Sequence, residues 1–453
     1  MKRTQTVRPL TSIVLLVMVV VILIVGGIVL FRFYEREHPQ LSLLNEVSRV
    51  GLVKSIELVL SDKKSGLRDV TVRLVQGSRD VTILERSYER SGLFKQSGPS
   101  RVIEEIPFEA KKLKLKDGSA ELVITVHDSA WCSWWRGNTT ERSYPLVIDT
   151  VPPLVQLIDS PRYVNPGGAG LVTYKISEEV GRHGVSINGF VHPGFPLTRK
   201  GEGIYGALIG LEYNTLSLDQ AQIFAVDLAG NESVRPFGMI LRKPQIKEDL
   251  ITISEGFLNL KLPEFRHYYP DLGAGEPVDQ YLEINQRVRK ENNEEIRKVC
   301  AKSRPDQLWQ GTFKRLARSS RRAGYAEART YYYQDKEIDH QVHLGIDLAS
   351  TKNAEVAAAN GGEVVFAGYL GIYGNMVIID HGLGLFTLYS HLSQIVSQVG
   401  DMVNQETVIG LTGMSGMAGG DHLHFSVLIN GIFVNPLEWW DAQWLELHIM
   451  SAL

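Results

Sequence analysis

The chain has 453 residues, with 48 Lys and Arg against 51 Asp and Glu, a formal net charge of -3 and 44% hydrophobic residues. That is too long for one hydrophobic core and suggests about three domains of roughly 100–150 residues each. The balanced charge excludes a broad basic footprint for nucleic acid. The two distant cysteines, Cys132 and Cys300, exclude a disulfide framework and a thiolate zinc site, so any metal needs His and carboxylate ligands.

Residues 1–10 read as a short basic tail, with Lys2, Arg3 and Arg8. An apolar run follows from Ile13 to Phe31, interrupted by Gly26 and Gly27. At ~1.5 Å per residue it covers the roughly 30 Å hydrocarbon core of a bilayer. Secretory apolar segments are shorter and end in an A-x-A-like site, which is missing here. Residues 11–31 are therefore read as an uncleaved signal anchor, with a cleaved signal peptide as the alternative. Basic residues ahead of the span place the bulk of the chain outside the cytoplasm, although Arg32 and Arg36 weaken the asymmetry. The expectation is a single-pass inner-membrane protein with its C-terminal bulk in the periplasm or cell exterior.

After a linker (32–45), residues 46–150 and 151–243 are rich in Val, Ile, Thr and Tyr in short alternating runs, such as DVTVRLV (69–75) and AELVITVHD (120–128). ITVHDSA ends at Ala130, and FAVDLAGN carries Ala229 at the corresponding place, about one immunoglobulin-like domain later. Val-Pro-Pro at 151–153 cannot continue a central strand and reads as the junction. Two immunoglobulin-like β-sandwich units are expected, resembling the repeats of bacterial surface proteins. They would act as spacers or docking modules, with envelope or division proteins as expected partners. Trp131, Trp134 and Trp135 in the first unit suit either glycan contact or packing.

Residues 244–325 form a partly helical connector. Ser254 is placed to cap a short helix through Leu262, stopped by Pro263. Leu282, Val288, Ile296 and Val299 give helical spacing over 278–301. The connector reads as a rigid arm, or as a segment that lies over the C-terminal domain and controls access to it. Lys314, Arg315, Arg318, Arg321 and Arg322 read as one solvated side of a short helix, with contact to an anionic surface as the alternative.

Residues 326–440 return to short β runs, with Asn430-Gly431 as a hairpin signal, and 441–453 read as a tail. Three segments of this domain present imidazoles. HLHF puts His422 and His424 on one strand face; HLGID places His343 and Asp347 four apart; LFTLYSHL puts Thr387, Tyr389 and His391 on one face by the same alternation. Two histidines and one carboxylate suffice for a catalytic zinc with an open fourth position, and further imidazoles can move protons. His267, His340 and His381 are read as surface or loop residues.

Together HLGIDLA, the run AANGGEVVFAGYLGIYGNMVIIDHGLGLFTLYSHL, HLHFSV and FVNP resemble the lysostaphin/LytM family of zinc metallopeptidases, which cut the peptides of bacterial peptidoglycan. The resemblance covers about a quarter of the chain. It implies a compact β core (the duplicated hybrid motif) and one Zn2+ per catalytic domain. It implies His343, Asp347 and His424 as ligands, and His422 and His391 as catalytic histidines. The fold class is thus mainly β: an anchor helix, two sandwiches, a connector and a LytM-like domain. The implied function is a membrane-anchored zinc metalloendopeptidase acting on peptidoglycan, in wall remodelling or division, with no nucleic-acid partner. A non-catalytic scaffold that activates other wall hydrolases is the alternative. Two departures, Ala418-Gly-Gly-Asp421 in the loop before HLHF and Ser426 in place of an acidic residue, remove no ligand and bear on subsite preference.

Overall fold

The computed structural model describes residues 10–33, 36–45, 47–89, 98–130, 136–243, 247–273 and 275–453, with side chains 10–12, 29–30 and 32–33 left aside. The basic tail with Lys2, Arg3 and Arg8, the tryptophans 131, 134 and 135, and Cys132 lie outside the described residues. The chain divides into two compact units, Met1–Pro152 with Val226–Glu232, and Pro153–Ala225 with Ser233–Leu453. The division falls within the Val-Pro-Pro segment.

In the first unit, helix α1 (Leu10–Phe33) has 24 residues. Its described side chains from Ile13 to Ile28 are apolar or glycine, and nearly all are exposed. Among the described residues no helix is long and apolar enough to cross a membrane; the described side chains of α1 cover only part of its length. Downstream, a three-stranded sheet (Gln40–Leu43, Val53–Ser61, Arg101–Glu109) and a five-stranded sheet including Leu67–Gln76 and Gly118–Asp128 form a sandwich. Alternation sets its core: Val70, Val72 and Leu74 are buried, and so are Leu122, Ile124 and Val126 on the neighbouring strand.

The second unit holds another sandwich. Val172, Tyr174, Ile209, Val185 and Ile223 fill its interior. Strand Ala169–Ile176 is buried almost throughout, because its other face meets the C-terminal domain. Ala169, Leu171 and Leu208 share one hydrophobic cluster with Ile429, Val434 and Trp439. Glu438 also lies here, its Oε2 accepting the Ala169 N–H at 2.9 Å. Burial pushes its carboxyl up to about 7. A carboxyl raised in the folded chain binds its proton more tightly there than when unfolded. Stability therefore falls as pH rises from about 4.5 to about 7, then levels. Glu438→Gln is expected to flatten that slope and to raise the melting temperature at pH 8 relative to wild type, read by thermal unfolding across pH.

The connector is not an arm. Ser254 Oγ accepts the Phe257 N–H at 3.2 Å, as the sequence suggests. Helix α2, however, runs on through Pro263 to Tyr268 (Glu255–Tyr268). Burial of Leu258, Leu262 and Phe265 outweighs the backbone bond that proline forfeits. Helix α3 (Pro277–Glu283) passes through a π turn (Ile284–Val288) into α4 (Arg289–Val299). Tyr281, Ile284, Val288 and Ile296 pack with Ile372, Tyr373, Met376, Ile378, Phe386 and Leu428 of the C-terminal domain. Its packing places the segment over the domain, as one of the two expectations had it. The basic run at 314–322 is exposed but forms no helix: it makes turns and the edge strand Ser320–Ala323.

The C-terminal domain is built on a sheet ordered Ser320–Ala323, Ile346–Ala349, Leu423–Ile429, Leu385–Leu392, Asn375–Gly382, Gly362–Tyr369 and Met402–Val403, with Ile432–Val434 paired to Leu423–Ile429. Asn430 (φ +51°) and Gly431 (φ +84°) make the two-residue hairpin turn read from the sequence. The tail is packed: Leu445 and Ile449 join the main core. His267 and His340 are exposed. His381 is not a surface residue: it is fully buried between Gly361 O at 2.6 Å and Thr387 Oγ1 at 2.7 Å.

Candidate metal centre

Three strand segments deliver the site. His343 ends Lys336–His343, and the chain then steps through Leu344-Gly345 into Ile346–Ala349, which carries Asp347. The two residues are thus on successive strands, not on one, as i, i+4 alternation had implied. Asp347 pairs directly across the sheet with His424. His343 Nε2, Asp347 Oδ1 and His424 Nδ1 converge at 3.0, 2.9 and 2.9 Å from one another.

The surrounding hydrogen bonds fix the protons. His343 Nδ1 faces the Gly324 carbonyl at 2.7 Å, which can only accept, so Nδ1 carries the hydrogen and Nε2 is a bare lone pair. Ser426 Oγ donates to Leu344 O at 2.9 Å, which leaves it to accept from His424 Nε2 at 3.1 Å. His424 Nδ1 is then also a lone pair. Two lone pairs and a carboxylate point at one another with no proton between them. Donors on one tetrahedral zinc, at ~2.0–2.1 Å, stand about 3.3 Å apart, so this set fits a divalent ion with little adjustment. The same three residues form a group able to hold a metal.

Two more imidazoles flank the tripod. His422 Nδ1 donates to Gly420 O at 2.8 Å, and its Nε2 lies 3.6 Å from Asp347 Oδ1. His391 Nδ1 donates to Ser415 O at 2.9 Å. The His391 ring centre is 4.9 Å from that of His422 and 5.8 Å from that of His424. All five expected residues therefore meet in one place. One expectation fails: Thr387 and Tyr389 do not share a face with His391. Tyr389 pairs with Phe425, on the core side, and its hydroxyl accepts the Ala359 N–H at 2.7 Å. His391 has φ +63°, a left-handed backbone that breaks the alternation and turns the ring to the His424 side.

Burial alone would push the Asp347 carboxyl up, but His343, His422 and His424 hold it well below the ordinary carboxylate range. Burial pushes His424 down to about 4. His391 is driven well below the usual histidine value, first by burial and then by its two imidazole neighbours. Burial opposes charging of His422 too, yet the Asp347 carboxylate outweighs it and raises that histidine.

The supporting roles of three residues escaped the sequence reading, which tied Ser426 to subsite preference instead. Arg329 Nη2 donates to Asp347 Oδ2 at 3.2 Å, orienting the carboxylate so that Oδ1 faces the imidazoles. Gly345 leaves room for the His424 ring: a Cβ there would lie 2.5 Å from Nε2. Ser426 fixes the His424 tautomer. Loss of the hydroxyl in Ser426→Ala is expected to weaken zinc about 10–100-fold, while Ser426→Thr holds it, read by competition with a chromophoric chelator. No periodicity marks these residues; only the convergence of strands does.

Residues 341–436 match peptidase family M23. Over 97 residues the chain is 42% identical to the DD-carboxypeptidase/endopeptidase Mpg of Neisseria meningitidis, covering 21% of this chain and 22% of that protein. It is 35% identical over 96 residues to the peptidoglycan DD-endopeptidase ShyC of Vibrio cholerae, again 21% and 22%. It is 38% identical over 106 residues to stage II sporulation protein Q of Bacillus subtilis, 22% and 38%. The matches thus span well under half of these relatives' own lengths. Among solved structures, a putative peptidase M23 from Pseudomonas aeruginosa aligns with 61% of this chain and 94% of its own, at 18% identity and a TM-score of 0.40.

Proposed function

Because residues 341–436 are a peptidase family M23 domain, we propose that the chain is a zinc-dependent endopeptidase that hydrolyses peptide bonds of bacterial peptidoglycan. The observation that carries this reading is the three-donor cluster of His343, Asp347 and His424, flanked by His391 and His422. When bound there, zinc supplies a Lewis acid that polarises the scissile carbonyl and makes water nucleophilic near neutral pH.

The chain's own residues then handle protons and position. His391 and His422 each spend Nδ1 on a backbone carbonyl, so each turns Nε2 to the cavity. His391, kept neutral by burial, accepts the proton of the attacking water at Nε2. His422, more readily protonated beside Asp347, donates from Nε2 to the leaving amine. Environments that push two histidines apart in this way divide acid from base. Phe257, Ile372, Tyr373 and Met417 wall the cavity and limit water around the reacting carbonyl.

The anchored location belongs to the same proposal and rests on the apolar run from Ile13 to Phe31. Retention of all five site residues favours catalysis over the scaffold alternative. The test is incubation of the full chain with purified murein sacculi, with zinc or with a chelator, and mass analysis of the soluble products. Zinc-dependent release of peptide-cleaved fragments is expected. A zinc-loaded chain that releases nothing, while stimulating an added wall amidase, would overturn the enzyme reading in favour of the scaffold.

A further inference from the structure

The cavity that contains the tripod has a volume of about 600 Å³ and is walled in part by the connector: Phe257 of α2, Tyr281 of α3, and Arg289 and Asn293 of α4. Its charge is one-sided. The lining carries two arginines, Arg289 and Arg329, against a single carboxylate, Asp347. Arg329 is committed to Asp347 and also approaches Asp249 at 3.7 Å. Arg289 is different. Its Nε donates to Asn285 O at 3.1 Å and its Nη2 donates to Asn285 Oδ1, both neutral acceptors one turn back, and no described carboxylate pairs with it. Asn285 is itself held by Asp339 at 2.7 Å, so the guanidinium is braced on a fixed partner.

Two further features bring Arg289 to the chemistry. It is the first residue after the π turn, a local widening of the helix that often marks a functional position. It also acts on Tyr373: burial pushes that phenol up, and the Arg289 charge offsets part of the effect. The Tyr373 ring centre is in turn 5.9 Å from that of His424. A half-buried, braced guanidinium without an acidic partner, beside a cationic metal site, is built to receive an anion.

We propose that Arg289 is a specificity residue that binds a carboxylate of the substrate next to the scissile amide. The proposal rests on the peptidoglycan-hydrolase reading and narrows its substrate class. An amide whose second residue keeps its own carboxylate free presents an anion beside the bond to be cut. A free terminal residue and a cross-linked one with an open carboxyl share this chemistry. The connector, in this view, forms part of the substrate cleft.

The test uses the full chain, stripped of metal by a chelator so that no ion can capture the carboxylate. Binding of diacetyl-Lys-D-Ala-D-Ala and of its C-terminal amide is measured by calorimetry. Wild type is expected to bind the acid about tenfold or more tightly than the amide. Arg289→Met is expected to bind both alike, and Arg289→Lys to recover part of the preference, with melting temperatures confirming that the variants fold. Equal binding of acid and amide by wild type, no binding of the acid, or an undiminished preference in Arg289→Met would each overturn the assignment. Zinc-loaded samples of the same proteins, incubated with murein sacculi, then report hydrolysis. Carboxylate preference without release of cleaved murein would sink the hydrolase reading and leave the anion site standing.

Discussion

Asp347→Ala is expected to abolish zinc retention through gel filtration and to lower murein hydrolysis by about 10³-fold or more. Asp347 sits at the centre of the cluster, 2.9–3.0 Å from one nitrogen each of His343 and His424 and 3.2 Å from Arg329. Its loss removes one of the three proposed ligands and the single carboxylate among the described residues of the cavity lining. Arg329 is then left with only the more distant Asp249, at 3.7 Å, to offset it. The metal-free chain should show the same dependence in its stability. A carboxyl held low in the folded state stabilises it above the unfolded value near 4, and that contribution is lost as pH falls through the lowered value. Wild-type metal-free protein should therefore lose melting temperature in acid more steeply than Asp347→Ala. Full zinc content in the variant by metal analysis would refute the ligand assignment.

The second large effect is expected at His391, with the opposite signature. His391→Ala should keep zinc at wild-type stoichiometry and lower kcat by about 10²–10⁴-fold with little change in KM. His391 makes its one described hydrogen bond to the Ser415 carbonyl and touches none of the three donor atoms. Its neutral Nε2 is the proton acceptor of the proposed mechanism. The left-handed backbone at this position adds a control. Asn tolerates such φ values, so His391→Asn should fold at least as well as the alanine variant yet remain inactive. A variant that lost both metal and turnover would place His391 among the ligands.

Much of the site was legible because its chemistry is concentrated in short stretches of sequence. HLGID and HLHF carry the three donors, and Asp347 and His424 turn out to be direct cross-strand partners. The hairpin at Asn430-Gly431 was legible for the same reason, since two residues determine it. Alternation failed where the backbone left the strand: at Leu344-Gly345, where His343 and Asp347 part company, and at His391, whose positive φ turns the ring to the other face. Long-range effects were invisible. Pro263 reads as a stop locally, but burial of Leu258, Leu262 and Phe265 carries α2 past it. His381 looks like any loop histidine until Gly361 and Thr387 close around it. Ser426 and Arg329 have no local signal, because their roles depend on groups tens of residues away.

The cluster that joins Ala169, Leu171 and Leu208 to Ile429, Val434 and Trp439 bears on how the chain can be handled and how it can fail. A fragment trimmed to the catalytic residues alone would bare a greasy footprint where the neighbouring sandwich used to lie, inviting aggregation. Core substitutions in that sandwich would disturb the C-terminal domain from a distance, without altering a single residue of the proposed site.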